Sequence, residues 1–209
     1  MNVLFIHQNF PGQFKNLSVE LVNHGHSVVA MHMNTSSKLK DWNGVKLCSY
    51  PPLRGSSADC HFLAKDFETK VIRAEACLFA SQKLKADGFN PDIIISHSGW
   101  GESMFIKHVW PEAKLGIYCE FYYKLRGTDF DFDPEFLITD INEFCKLQLK
   151  NIANMVHFEI ADLALCPTHW QASTYPLSFR KKISVIHEGI DTTSLIPQDN
   201  VQIKLKDGT

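Results

Sequence analysis

Short apolar runs rich in β-branched residues alternate along this chain with stretches whose apolar residues recur every three or four positions, a pattern that few architectures accommodate. Val3 to Ile6, Ser27 to Met31, Val45 to Leu47, Ile93 to Ile95, Lys114 to Cys119, Leu163 to Cys166 and Ile183 to Ile186 read as buried strands. Phe14, Leu17 and Leu21 share one helical stripe ending at His24-Gly25, and Leu63, Phe67, Val71, Ala74 and Leu78 share another that stops near Gly88. A short helix is predicted over Glu102 to Val109 and a long one from Ile141 to Ile160, while Thr168 and Gln171 have capping-box spacing for another. Such alternation requires parallel strands joined by right-handed crossovers. The predicted fold class is α/β: a Rossmann-like three-layer sandwich with a mostly parallel sheet and Val3 to Ile6 near its centre.

Composition narrows the function classes. The 209 residues suit one α/β domain with a single substantial core, and 44% apolar with 21% charged residues is ordinary globular usage. A net charge of -2 gives no reason to expect nucleic acid as a partner, and Arg180-Lys181-Lys182 reads as a solvated edge ahead of a strand. The six cysteines contain no CxxC pair, and several lie in apolar segments, which points to free thiols and a reducing compartment. The N-terminus lacks the basic segment and long apolar run of a signal peptide, and no stretch reaches the roughly 18 apolar residues of a spanning helix. The expected location is cytoplasmic, with room left for peripheral membrane contact.

In a doubly wound sheet, ligands bind beyond the carboxyl ends of the strands. The loops at issue are therefore His7 to Gln13, Ser96 to Glu102, Glu120 to Asp140, Pro167 to Trp170 and His187 to Asp191. Gly12 stands at a helix start, where free N–H groups and the helix dipole can hold an anion; it equally suits a tight turn. His97 follows a strand, has a pKa suited to proton transfer, and lies beside Trp100 and Glu102, although histidine and glutamate can also pair only with backbone there. The Glu120 to Gly127 segment mixes Tyr122 and other aromatics with Glu120 and Arg126, a combination that binds sugars and equally pins a loop to a core. Asp129, Asp131 and Asp133 alternate. Pro134 and Asp140 stand where an EF-hand needs glycine and glutamate; these aspartates read as solvated residues or helix caps, with a DxD metal site beside a nucleotide as the alternative, and no zinc spacing is present. The motifs GxGxxG, GxxxxGK[ST] and GxSxG are all absent.

Taken together, MNVLFIHQNFPGQF, PDIIISHSGWGES, GIYCEFYY, DFDPEF, ADLALCPTHWQASTYP and ISVIHEGID resemble, in order, the N-terminal domain of family 4 glycosyltransferases. The resemblance spans Met1 to about Asp191 and implies a GT-B enzyme, with two Rossmann-like domains facing a cleft and retention at the transferred sugar. On that reading residues 1–191 form the acceptor-side domain, and residues 192–209 begin the linker to a donor-binding C-terminal domain. The family's donor-domain signature, two glutamates separated by seven residues, has no counterpart here, so the chain alone is expected to be inactive. The resemblance assigns His97 a catalytic role beside the transferred sugar and Gly12 a contact with donor phosphate or sugar. Trp100, Glu102, Glu120, Tyr122 and Arg126 fall on the acceptor side. Many relatives have asparagine where Glu188 stands. The implied partners are a nucleotide sugar, as substrate, and a glycan or lipid-linked acceptor, as in polysaccharide biosynthesis; no cofactor or metal is implied. A non-catalytic carbohydrate-binding or scaffold domain is the alternative, and a nucleotide-dependent oxidoreductase or epimerase is disfavoured by the missing glycine fingerprint.

Overall fold

The structure is a computed structural model that describes residues 1–34, 39–128, 130 and 132–197. Its centre is an eight-stranded sheet: β1 (Asn2–Ile6), β2 (Ser27–His32), β3 (Asp41–Trp42), β4 (Val45–Ser49), β5 (Ile93–His97), β6 (Lys114–Tyr118), β7 (Leu163–Cys166) and β8 (Ile183–Val185). The spatial order is β3-β4-β2-β1-β5-β6-β7-β8. Every pairing is parallel except β3 with β4, a short hairpin the apolar pattern does not announce. The Rossmann-like α/β reading therefore stands, with β1 in the middle of the sheet.

Both faces of β1 are buried, which is why its sequence is continuously apolar rather than alternating. Leu4 and Ile6 join a core with Cys77 and Leu84 of α2 (Lys65–Ala86), Ile106 and Val109 of α3 (Ile106–Val109) and Phe158. Val3 and Phe5 face the other way, against Phe14 and the partly buried Leu21 and Val22 of α1 (Lys15–Asn23). Leu17, predicted on the same buried stripe, is 44% exposed, because α1 turns its Phe14–Ser18–Leu21 side to the sheet.

Two predicted helices are revised. The turn before α3 occupies Glu102 to Phe105, so that helix starts four residues later than predicted, after Gly101 at φ +94°. There Met104 N donates to Gly101 O, and a Cβ on Gly101 would lie 2.7 Å from Lys70 Cβ, which holds the turn tightly against α2. The long helix divides into α4 (Ile141–Lys150) and α5 (Ile152–Ile160) at Asn151, whose side chain accepts from Tyr123 N at 3.0 Å and donates to Tyr123 O at 2.8 Å. Two short helices, α6 (His169–Thr174) and α7 (Leu177–Arg180), complete the chain before β8. The basic cluster is exposed, as its composition suggests, and Lys182 Nζ in addition donates to Phe158 O and Ala161 O, at the carbonyl end of α5.

The strand order sets the position of a ligand site. From β1 the chain moves outward to β2 and β4, then crosses back to β5 on the other side of β1. The loops after β1 and β5 thus diverge, opening a crevice at their carboxyl ends.

Candidate functional site

His7 ends the run of β1 and His97 ends β5, so the crevice carries a histidine on each side. Their rings meet edge to face at 5.7 Å, and Trp100 closes the group, stacked on His97 at 3.9 Å and edge-on to His7 at 4.8 Å. Both histidines are buried, at 3% exposure each.

Backbone contacts set the protonation pattern. Asn9 N donates to His7 Nδ1 and Gly99 N donates to His97 Nδ1, so in each ring Nε2 carries the proton of the neutral form. His7 Nε2 then donates to Gln13 Oε1 at 2.7 Å, and the Gln13 amide donates to Glu120 Oε1. His97 Nε2 stands 3.0 Å from the other oxygen, Glu120 Oε2, an ion-pair distance at which the ring N–H is turned off the ideal hydrogen-bond line. The loops after β1, β5 and β6 are thereby joined through one carboxylate. The close approach of the His97 ring, with the Gln13 amide in support, holds the Glu120 carboxyl below the usual carboxylate range. Burial, reinforced by the nearby His97, brings His7 down to about 4. At neutral pH the group therefore offers an ionised carboxylate beside a neutral His7.

Glycines make room for these rings. Gly12 has φ +45°, and a Cβ there would lie 2.3 Å from His7 Cε1; one on Gly99 would lie 3.1 Å from His97 Cε1. Gly12 opens a 3-10 turn, Gly12 to Phe14, that runs directly into α1.

From the opposite side α5 clamps the two loops. Asn154 accepts from Ser98 Oγ at 3.3 Å and donates to Phe121 O at 3.2 Å, so one 2%-exposed side chain spans the loops bearing His97 and Glu120. Below them, His157 Nε2 and Ser103 Oγ lie 2.8 Å apart, and Ser96 Oγ donates to Ser103 Oγ at 2.6 Å. Tyr118, at the end of β6, donates its hydroxyl to Glu188 and so ties the segment after β8 to the same edge.

Of the residues singled out in the sequence, His97, Trp100, Glu120 and Gly12 come together. The other three stand apart. Glu102 is turned inward, 2% exposed, with neither carboxylate oxygen hydrogen-bonded, and burial pushes its carboxyl up to about 7. Arg73 and Lys70 act weakly in the opposite sense. Tyr122 packs on Tyr175 at 5.5 Å and Phe179 at 6.1 Å, pinning its loop to the core. Arg126 is exposed, and no contact among the described residues joins it to the histidines. Asp133 caps the 3-10 turn Pro134 to Phe136 and Asp140 caps α4, whereas Asp129 and Asp131 lie outside the described residues. His7 and Gln13 are the members that sequence reasoning did not single out; their only signal was a place in the loop after the first strand.

A hollow of about 70 Å³ lies over this group, lined by His97, Ser98, Gly99, Trp100, Glu120, Phe121 and Tyr123. It has room for a hydroxyl or a water or two, since liquid water occupies about 30 Å³ per molecule. A sugar-sized ligand needs a further wall. Among the described residues no group of three or more His, Cys, Asp or Glu is placed to hold a metal ion, and no helix is long and apolar enough to cross a membrane.

Comparison with known proteins brings one family match. Residues 24–195 match the model of the glycosyl transferase family 4 group. No curated protein sequence matches the chain. Among solved structures, the catalytic domain of starch synthase IV from Arabidopsis thaliana, bound to ADP and acarbose, aligns over 92% of this chain at 15% identity with a TM-score of 0.56. MurG of Acinetobacter baumannii aligns over 89% of the chain (14% identity, TM-score 0.45), and S. aureus MnaA with UDP over 99% (16% identity, TM-score 0.47). The chain spans about half of each, namely 52%, 44% and 49% of their lengths.

Proposed function

The chain belongs to the glycosyl transferase family 4 group, and from that membership we propose that it forms the acceptor-side half of a two-domain GT-B glycosyltransferase. The proposed reaction moves a sugar from a nucleotide-sugar donor to a glycan or lipid-linked acceptor, with retention at the transferred carbon. The observation that carries this reading is the ionised Glu120 carboxylate held 3.0 Å from His97 Nε2 at the strand-order switch point.

Glycosyl transfer builds positive charge on the sugar ring, and fixed dipoles or charges aimed at that charge lower the barrier. In this chain Glu120 presents such a charge, while His97 lies beneath it, sandwiched under Trp100. His97 thus acts by orienting Glu120 and by offering its Nε2–H to a sugar hydroxyl that displaces the carboxylate. Gly12 sits at the amino end of the turn leading into α1, where N–H groups face a donor phosphate. Trp100 supplies a face for the apolar side of a sugar ring.

The shallow hollow supports a half-site: donor and acceptor must be held together for transfer, and these residues form one wall of the cleft. We place nucleotide recognition in a second domain and the protein in the cytoplasm, where nucleotide sugars would meet it; no metal or cofactor enters the scheme. Calorimetry of the chain with a panel of nucleotide sugars, beside a donor-hydrolysis assay, tests this. Weak donor binding and no turnover are expected. Micromolar affinity or turnover from these residues alone would refute the two-domain reading.

A further inference from the structure

Two sizeable hollows lie away from the histidine group, along α2. Between β2 and β4 the described residues contain only the β3 hairpin and no crossover helix, so β4 is left with an open face beside α2. Period two places Lys46, Cys48 and Tyr50 on that face. Helical spacing places Ile72, Ala76, Phe79, Ala80, Lys83 and Asp87 opposite.

Two contiguous cavities fill the space between them, sharing Ser49, Ala80 and Lys83. One, of about 600 Å³, is walled by Tyr50, Pro51, Leu53, Ile72, Ala76 and Phe79. Leu53 is 95% exposed and Phe79 56% exposed, so this compartment shows solvent an open apolar surface. At its rim Arg54 is engaged by Glu68 at 3.3 Å, Glu75 is its acid, and Lys83 is the cation it shares with the neighbouring cavity. The other, of about 540 Å³, is lined by Lys40, Lys46 and Lys83 with a single acid, Asp87. No ion pair among the described residues involves any of these lysines. Lys46 and Lys83 line this cup together with the half-buried Cys48. Each compartment falls within the range of about 300–1,000 Å³ typical of small-molecule sites.

An apolar trough leading into an unpaired cationic cup is complementary to one kind of molecule. We propose that this groove binds an anionic amphiphile, a lipid phosphate whose chain lies against Leu53 and Phe79 and whose phosphate sits among Lys40, Lys46 and Lys83. Apolar burial supplies most of the affinity, and the lysines fix polarity and orientation. The site is separate from the His97–Glu120 group and does not depend on the sugar-transfer reading.

The test uses the 209-residue chain and dodecyl phosphate below its micelle concentration, followed by calorimetry and by NMR of the groove side chains. Saturable one-to-one binding is expected, at least tenfold tighter than inorganic phosphate or an uncharged dodecyl glycoside. Phe79→Asp and the pair Lys46→Glu with Lys83→Glu should each weaken it at least tenfold at unchanged melting temperature. Leu53→Asp, in an exposed loop, serves if the helix variant fails to fold. Equal binding of inorganic phosphate reduces the site to an anion cup, and equal binding of the glycoside to an apolar patch; either overturns the proposal. So does a shift of Phe79→Asp from dimer to monomer in ultracentrifugation, which would make the groove a contact between copies of the chain.

Discussion

The imidazole of His7 occupies the space a side chain on residue 12 would need: a Cβ built on Gly12 falls 2.3 Å from His7 Cε1 and 2.5 Å from Nε2. The glycine and the histidine are one feature, because the hydrogen bond from His7 to Gln13 requires the ring to lie over this turn.

Gly12→Ala should therefore destabilise the chain by about 1–3 kcal/mol, through the clash and through a side chain at φ +45°. Gly12→Ala in a His7→Ala background should cost much less, because the clash term is gone. Denaturant unfolding of the four proteins in the cycle measures this coupling, and simple additivity would show that the ring moves aside freely.

If the chain works with a donor-binding half as proposed, His97→Ala in that two-domain protein should lower turnover about 100-fold or more while changing stability far less. Glu120→Gln should give a comparable loss, since the amide keeps the shape and removes the charge facing His97. Unchanged turnover with a lowered melting point would make the pair purely structural.

Glu102 carries a pH signature of its own. Its folded carboxyl, raised by burial to about 7, holds a proton that the unfolded chain releases near the ordinary value of 4.5. The stability tied to that proton is complete below about 4.5 and is lost as pH rises through about 7. Glu102→Gln should thus stabilise the protein by about 2–3 kcal/mol above pH 7 and be nearly neutral at pH 4.5. Melting curves for both proteins across that window give the answer; a pH-independent difference would mean the carboxylate is solvated.

The buried histidines work in the other direction. Burial lowers both His7 and His157 from 6.5 to about 4, so each favours folding fully above about 6.5 and progressively less as pH falls toward 4. His157→Gln should flatten the acid side of the stability profile between those values. An unchanged profile would place the acid transition on other groups.

Asn154 is predicted to matter through the loops it joins. Asn154→Ala leaves the Phe121 carbonyl without this donor and the Ser98 hydroxyl with Tyr118 O alone, and should cost about 1–3 kcal/mol. Asn154→Asp, which keeps the acceptor for Ser98 but sets a buried carboxylate oxygen against the Phe121 carbonyl, should cost at least as much. The His97 ring signals in NMR should shift in both variants, and unmoved signals would mean that the loops hold their places without the clamp.

Local periodicity was enough to reveal every strand but β3, most helices and the parallel α/β class, because burial on one or two faces imprints a spacing of two or of about 3.6 residues on neighbouring positions. It also marked the loops at the carboxyl ends, and hence His97, Trp100, Glu120 and Gly12 as candidates. Partnership was beyond its reach. Gln13 meets Glu120 across 107 residues of chain, a contact created by the order in which strands pair rather than by any spacing along the sequence. The inward turn of Glu102, the exposure of Leu17 and the division of a long apolar stripe at Asn151 were likewise decided in three dimensions. A side chain's solvation and its hydrogen-bond partners depend on what the rest of the fold places around it, and a one-dimensional pattern does not contain that information.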